Sequence, residues 1–514
     1  MSTERLDRLL PVIVCAAATL IAIAVMGSWP VGAYQDDAMY VVLAKALASG
    51  EGYRYLSLPG HPAATHFPPG YPAFLAALWT IAPRFPGNVA LFTAANAVFY
   101  GLAAAGLYHL ARSRFALGRG VAFGVTALGM LVTSVLGLAG LVMSEPMYLA
   151  LLVPVLVICD RAVERGDWRA VGAAALACAA LAMVRSIGVI ALAALFIALL
   201  VGRRYRAAGV AAAVGVIALL PWKIWMMAHG DALPALLVGE YGSYDGWLMD
   251  GVRSGGVEFV WRVVSMNLRD IATVLVAPNN VDGARAVSMN PARIGLACAM
   301  AVLAVVGVVR AANRSRTLAL YVVAYVLLIL IWPFEPTRFA RALWPLLVLV
   351  MCLGAMAILS ASSRRLRLPL AAALAIIPLV HLMNLAQSWA RRDWESFPRS
   401  WALPTVSQVQ WVEENTRPDD VVMSDRALSV YLYTGRYAVP PADFQTTDRV
   451  RPPAPDRLQR TIRTLAQHYD ARYILLYNAH AIAAASPLAI GAEPSWRFLN
   501  GRMTFGTVLA KTAP

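Results

Sequence analysis

Charge is scarce in this chain. Only 14% of its 514 residues are Asp, Glu, Lys or Arg, and 59% are hydrophobic. A soluble globular domain carries roughly a quarter charged residues. The deficit, with repeated long apolar runs, excludes a wholly water-soluble protein and implies an integral membrane protein. Lysine is nearly missing: Lys45, Lys223 and Lys511 are the only ones. The net charge of +15 is therefore carried by arginine. These arginines cluster in short loops between apolar runs, which fits membrane topology better than nucleic-acid binding. Cysteine is sparse too. Cys15, Cys159, Cys178, Cys298 and Cys352 all lie inside apolar runs, without CxxC or Cys/His spacing, so neither a disulfide framework nor a thiolate metal site is indicated. P-loop, GxGxxG and Ser-His-Asp patterns are missing, as are internal repeats. The only biased tract is the Pro-rich 451–455 loop.

What is present is a series of spans. Apolar segments near bilayer length cover 9–28, 88–111, 118–141, 143–159, 168–184, 186–202, 206–228, 291–311, 317–333, 339–360 and 366–388. The first, from about Leu9 to Met26, lacks a small-residue cleavage site and reads as a retained helix. Arg5 and Arg8, then the clusters at 112–119, 161–169, 203–206, 310–316 and 364–367, fall on one side only if the Pro-bounded run 70–83 does not cross. That gives about eleven transmembrane helices, a cytoplasmic N-terminus and an outer C-terminus. Segment 70–83 becomes a juxtamembrane helix. The outer face then receives loop 29–87, the corners at 144–145, 185 and 334–338, the long loop 229–290, and everything beyond 389. The last part changes character: an amphipathic helix at 406–415, strands at 420–424 and 472–477, a helix at 456–468 and a third strand near 503–510 suggest a small α/β domain. The expected division is residues 1–390 for the membrane domain and 391–514 for the outer α/β domain.

Several ionisable residues stand out. Asp36 and Asp37 open an amphipathic helix, with Met39, Val42, Leu43, Ala46 and Leu47 on one face. One aspartate suffices to cap it, leaving the other free as a general base or substrate anchor. Glu145 sits in Met143-Ser144-Glu145-Pro146 between two spans, as a helix cap or a functional acid. Arg185, Arg338 and Arg341 lie near hydrocarbon and need partners. Those partners are an acidic side chain, a lipid headgroup, or the phosphate of a lipid-linked substrate gripped bidentately. His61 and His66 lie just before the Pro68-Pro69-Gly70 turn. With the two aspartates they could bind a divalent metal, but the spacing is irregular and no resident cofactor is expected.

A first span, then Asp36-Asp37 with Tyr40 three residues on, Gly50 and Gly52, and Pro68-Pro69-Gly70-Tyr71-Pro72: this pattern resembles the GT-C superfamily of polytopic glycosyltransferases. Within it the chain looks like the protein-mannosyltransferase and aminoarabinose-transferase branch. Glu145-Pro146, Arg185, Arg338 and the stretch 411–422 with Thr434-Gly435-Arg436 belong to the same likeness. The resemblance implies transfer of a sugar from a polyprenyl-phosphate donor to a glycan, lipid or protein acceptor at the outer face of a bacterial inner membrane, without a catalytic metal. Asp36 would deprotonate the acceptor, with Asp37 and Glu145 positioning it. Arg185, Arg338, Arg341, His66, Tyr40 and Tyr71 would bind substrate. Aminoarabinose transferases carry Lys just before the Pro-Pro pair; Phe67 stands here, which argues against a lipid A phosphate acceptor. The alternative class is a polytopic transporter or flippase of a lipid-linked substrate, for which discontinuous helices and repeated halves are the signature.

Overall fold

A computed structural model describes residues 3–244, 246–280, 288–451, 453–454, 456–489, 496–499 and 506–512. The helices run α1 Thr3–Ala24, α2 Asp36–Ala48, α3 Gly70–Ile81, α4 Val89–Ser113, α5 Arg119–Met130, α6 Thr133–Ala139, α7 Glu145–Arg165, α8 Trp168–Val184, α9 Val189–Val201 and α10 Tyr205–Ala228. They continue as α11 Val238–Tyr241, α12 Trp247–Val276, α13 Pro291–Ala312, α14 Arg316–Ile331, α15 Thr337–Ala361, α16 Arg364–Ala390 and α17 Ser396–Asn415. Among the described residues, seven helices are long and apolar enough to cross a membrane, and eight if α5 and α6, bent by 71°, count as one span. The remaining three expected spans fall on shorter apolar helices, α8, α9 with its leading turn, and α14, and segment 70–83 forms another such short helix, α3.

The bundle is sorted by burial. The hydrophobic windows of α7 and α15 are two-thirds buried, whereas that of α16 is 6% buried. α7 and α15 therefore form the core, and α16 presents apolar side chains to lipid. Both core helices start at the same end of the bundle as α2, where the first loop lies. At the opposite end Asp7 pairs with Arg112 at 3.1 Å and Arg119 at 2.9 Å, and Arg114 reaches Asp160 and Glu164. The arginine clusters thus meet each other far from the candidate catalytic residues.

Beyond α17 lies a small sheet domain. Its strands are β1 Val422–Ser424, β2 Ala438–Val439, β3 Tyr473–Leu476, β4 Trp496–Phe498 and β5 Thr507–Lys511, in the order β2-β1-β3-β5-β4. β1 pairs parallel with β2 and β3; β5 runs antiparallel to β3 and β4. Helices α18 Ala427–Thr434, α19 Arg457–His468 and α20 Ala479–Ala485 connect them. The expected strands at 420–424 and 472–477 are β1 and β3. The third is β5, and residues 503–505 of that expectation lie outside the described residues. The domain docks on the first loop. Ser429 donates to the Val31 carbonyl at 2.8 Å, the Val31 N–H donates to the Tyr433 hydroxyl at 3.0 Å, and the Ala438 N–H donates to the Ser57 carbonyl at 2.9 Å. Gly32 makes this approach possible: its φ is +117°, and a Cβ there would lie 1.9 Å from the Ser429 hydroxyl oxygen.

Candidate active site

Four helix ends converge. Asp36 is the first residue of α2, Glu145 the first of α7, Arg338 the second of α15, and Arg185 follows the last turn of α8. Arg185 has extended backbone, φ −148° and ψ 132°, which stops α8. Its guanidinium lies 2.8 Å from Glu145, whose side chain is 1% exposed. Arg338 lies 3.0 Å from the other oxygen of Glu145 and also pairs with Asp36. One buried carboxylate thus holds two guanidiniums, and the second guanidinium holds Asp36. Glu145 and Asp36 sit at helix N-termini and Arg185 at a C-terminus, where the backbone dipole favours each charge. Arg338 is on the wrong end of α15 for a cation, so its place depends on the two carboxylates. The rings of Phe339, 5.9 and 6.0 Å from the two guanidinium carbons, and of Tyr34, 5.8 Å from that of Arg338, cover their faces.

A second layer fixes the first. Ser144 receives a hydrogen bond from Arg185 at 2.7 Å, and its hydroxyl lies 3.0 Å from that of Tyr40. The buried Asn96 amide donates to the carbonyls of Leu141 at 2.7 Å and Met143 at 2.9 Å, holding the turn that delivers Ser144 and Glu145. Tyr71 bonds to Asn96 and packs edge-on to Tyr40 at 5.0 Å. It supports Tyr40 and lines neither of the cavities described below. Gly70 lets α3 press on the end of α8: a Cβ there would stand 2.5 Å from the Met183 carbonyl oxygen.

Asp37 is the clearest departure from expectation. Its carboxylate accepts from the N–H groups of Gly32 at 2.8 Å, Ala33 at 3.2 Å and Tyr34 at 3.1 Å. Burial pushes its carboxyl above the usual range, and the N–H groups of Gly32 and Tyr34 oppose that. It shapes the turn that presents Asp36 and lines neither of the cavities described below. Arg341 is buried one turn after Arg338 and lines neither cavity. His66 keeps a place in the site. Its Nδ1 lies 2.6 Å from the Gly242 carbonyl and so carries the proton, leaving Nε2 as an acceptor. Burial lowers its pKa, which keeps the ring neutral. His61 lies instead 3.3 Å from the Tyr437 hydroxyl. Among the described residues no cluster of three or more His, Cys, Asp or Glu is arranged to hold a metal ion.

Two cavities flank the cluster. One, of about 260 Å³, is walled by Phe67, Leu328, Ile329, Trp332 and Phe339, with Arg185 and Arg338 at its polar end. The other, of about 380 Å³, includes Asp36, His66, Glu240 and Trp247 on the membrane-domain side, and the end of β1 and start of α18 (424–429) and loop 440–444 of the sheet domain. The Asp36–Arg338 pair forms the partition. Sequence reasoning missed Ser144 as a ligand of Arg185, Asn96 as its support, and Glu240. A single Asn inside an apolar run was the available signal for Asn96; Glu240 gave none.

No protein-family model matches the chain, and no curated protein matches it. Solved structures do. ArnT from Cupriavidus metallidurans in the apo state aligns with 12% identity and a TM-score of 0.53, and the same protein bound to undecaprenyl phosphate with 11% and 0.52. Each alignment covers 100% of this chain and 99% of the other. The chain shares the fold of ArnT over its whole length.

Proposed function

We propose that this protein is a membrane glycosyltransferase. It moves a sugar from a polyprenyl-phosphate-linked donor to an acceptor at the outer face of the inner membrane. One observation carries the reading: a carboxylate and a guanidinium stand between an aromatic-walled cavity and one lined by carboxyl groups. A lipid-linked donor suits the first, with its phosphate drawn to Arg185 and Arg338 and to the positive end of α15. An acceptor suits the second, with its hydroxyl at Asp36. Asp36 takes the hydroxyl proton as the oxygen attacks the anomeric carbon. The bond from that carbon to the phosphate oxygen breaks, its electron pair leaves with the polyprenyl phosphate, and the guanidiniums stabilise the released charge. A donor phosphate and Asp36 compete for Arg338, so donor binding frees Asp36 for the acceptor.

The test is turnover of radiolabelled polyprenyl-phosphate sugars by the purified protein. Asp36→Asn is expected to lower transfer about 10²–10⁴-fold while still inserting into membranes. Near-normal turnover by that variant would remove Asp36 as the base. The 71° break between α5 and α6 is the feature that favours the transporter alternative. It is tied by neutral bonds, Thr133 to Asn279 at 3.1 Å and to Ser388 at 2.8 Å, which suits a fixed corner. Movement of labelled lipid across liposomes without sugar transfer would favour the transporter.

A further inference from the structure

The cavity at Asp36 carries more information than its position. Among the described residues, four carboxyl groups line it, those of Asp36, Glu240, Asp425 and Asp443, against a single guanidinium, that of Arg426. Arg426 is already engaged: it stacks on the face of Trp401 at 3.7 Å and donates to the Gly32 carbonyl at 3.4 Å. The carboxyls are engaged too, Asp36 by Arg338, Asp443 by Arg457 at 2.9 Å and Asp425 by Gln408 and the N–H groups of Tyr477 and Asn478, so an anionic group entering here finds no uncommitted cation among the described lining residues. The remaining wall is aromatic. Phe444 is 39% exposed, and its ring is held by Phe334 at 4.4 Å and Trp247 at 6.0 Å. A rigid, exposed ring beside carboxyl acceptors suits a pyranose, whose C–H face packs on the ring while its hydroxyls donate to the carboxyls. The volume, about 380 Å³, lies within the range of small-ligand sites.

We infer that the acceptor is an uncharged carbohydrate, bound between α2 and the sheet domain with Phe444 as its stacking platform. The sheet domain thus supplies half of the acceptor site. This rests on the transferase reading above, since only a transferase has an acceptor.

The test uses the full chain in nanodiscs and a diazirine-bearing glucoside, with labelled positions mapped by mass spectrometry. Labelling is expected within 239–247 and 440–444. Excess methyl β-D-glucopyranoside should suppress it and glucose 1-phosphate should not. Phe444→Ala should weaken labelling about three- to tenfold, Phe444→Trp should retain it, and unchanged unfolding midpoints show that both variants fold. Labels elsewhere, equal competition by glucose 1-phosphate, or an indifferent Phe444→Ala would overturn the proposal. Polyprenyl phosphate release from the donor is followed in parallel. Release with misplaced labels overturns this inference and leaves the transferase reading. Correct labels without release from any donor overturn the transferase reading and leave a carbohydrate-binding cavity.

Discussion

Asp36 and Asp37 are neighbours with different tasks, and the difference is measurable. Asp37 satisfies three backbone N–H groups. Asparagine there turns an NH₂ group toward at least one of them, and an unpaired buried group costs about 1–3 kcal/mol. Asp37→Asn is therefore expected to lower the unfolding midpoint clearly, whereas Asp36→Asn, whose partner Arg338 keeps Glu145, is expected to lose turnover with little change in stability. Thermal unfolding of the two variants separates these roles; equal destabilisation would deny the division. Adjacency in the sequence showed that one carboxylate was spare, but which one depends on the Gly32 turn, and nothing in the pattern Tyr-Gln-Asp-Asp encodes that. Glu240 gives a pH signature. Burial raises its pKa from an ordinary 4.5 to about 8, while its carboxyl pairs with the Gln35 amide. The folded protein holds this proton more tightly than the unfolded chain does, so the contribution is complete below about 4.5 and declines as pH rises through about 8. Unfolding midpoints measured from pH 5 to pH 9 should fall less in Glu240→Gln than in the parent. Parallel profiles would show that Glu240 does not titrate there.

At the scale of elements, the close seat of α3 on α8 carries a sharper prediction than any propensity. Gly70 faces the Met183 carbonyl where a Cβ would come within 2.5 Å, and backbone on both sides leaves little room to yield. Gly70→Ala should displace the end of α8, and Arg185 with it. The expected outcome is weaker donor binding, read as a raised KM for the lipid-linked sugar, and a destabilisation of about 1–3 kcal/mol. An unchanged KM would mean that Arg185 does not depend on this contact. The long helices were legible because a bilayer demands long apolar segments. The sheet domain was legible only where burial makes strong runs, as in Tyr473–Leu476. β2 has two residues and β4 three, too short for any periodicity, and α18 is almost wholly buried and so lacks an amphipathic stripe. Convergence of Asp36, Glu145, Arg185 and Arg338 was expected from topology, since all four fall on one face. Their pairing was not, because it depends on which helix ends meet.

For the molecule as a whole, the orientation in the membrane decides whether the site can face a donor on the outer leaflet. The two ends of the bundle are chemically distinct. One gathers the first loop, the four converging helix ends and the sheet domain, which also anchors through Arg449 on Asp270, Asn267 and the Phe334 carbonyl. The other gathers Arg112, Arg114 and Arg119 with their acidic partners. Short loops rich in arginine stay in the cytoplasm, so the sheet domain and the cluster should be outside. Cysteine substitutions at exposed positions test this directly. In intact cells a membrane-impermeant maleimide should label Glu414→Cys, at the end of α17 next to the sheet domain, and spare Arg165→Cys at the arginine-rich end until the membrane is opened. The reverse pattern would turn the protein over, put Asp36 on the cytoplasmic side and require a donor presented there.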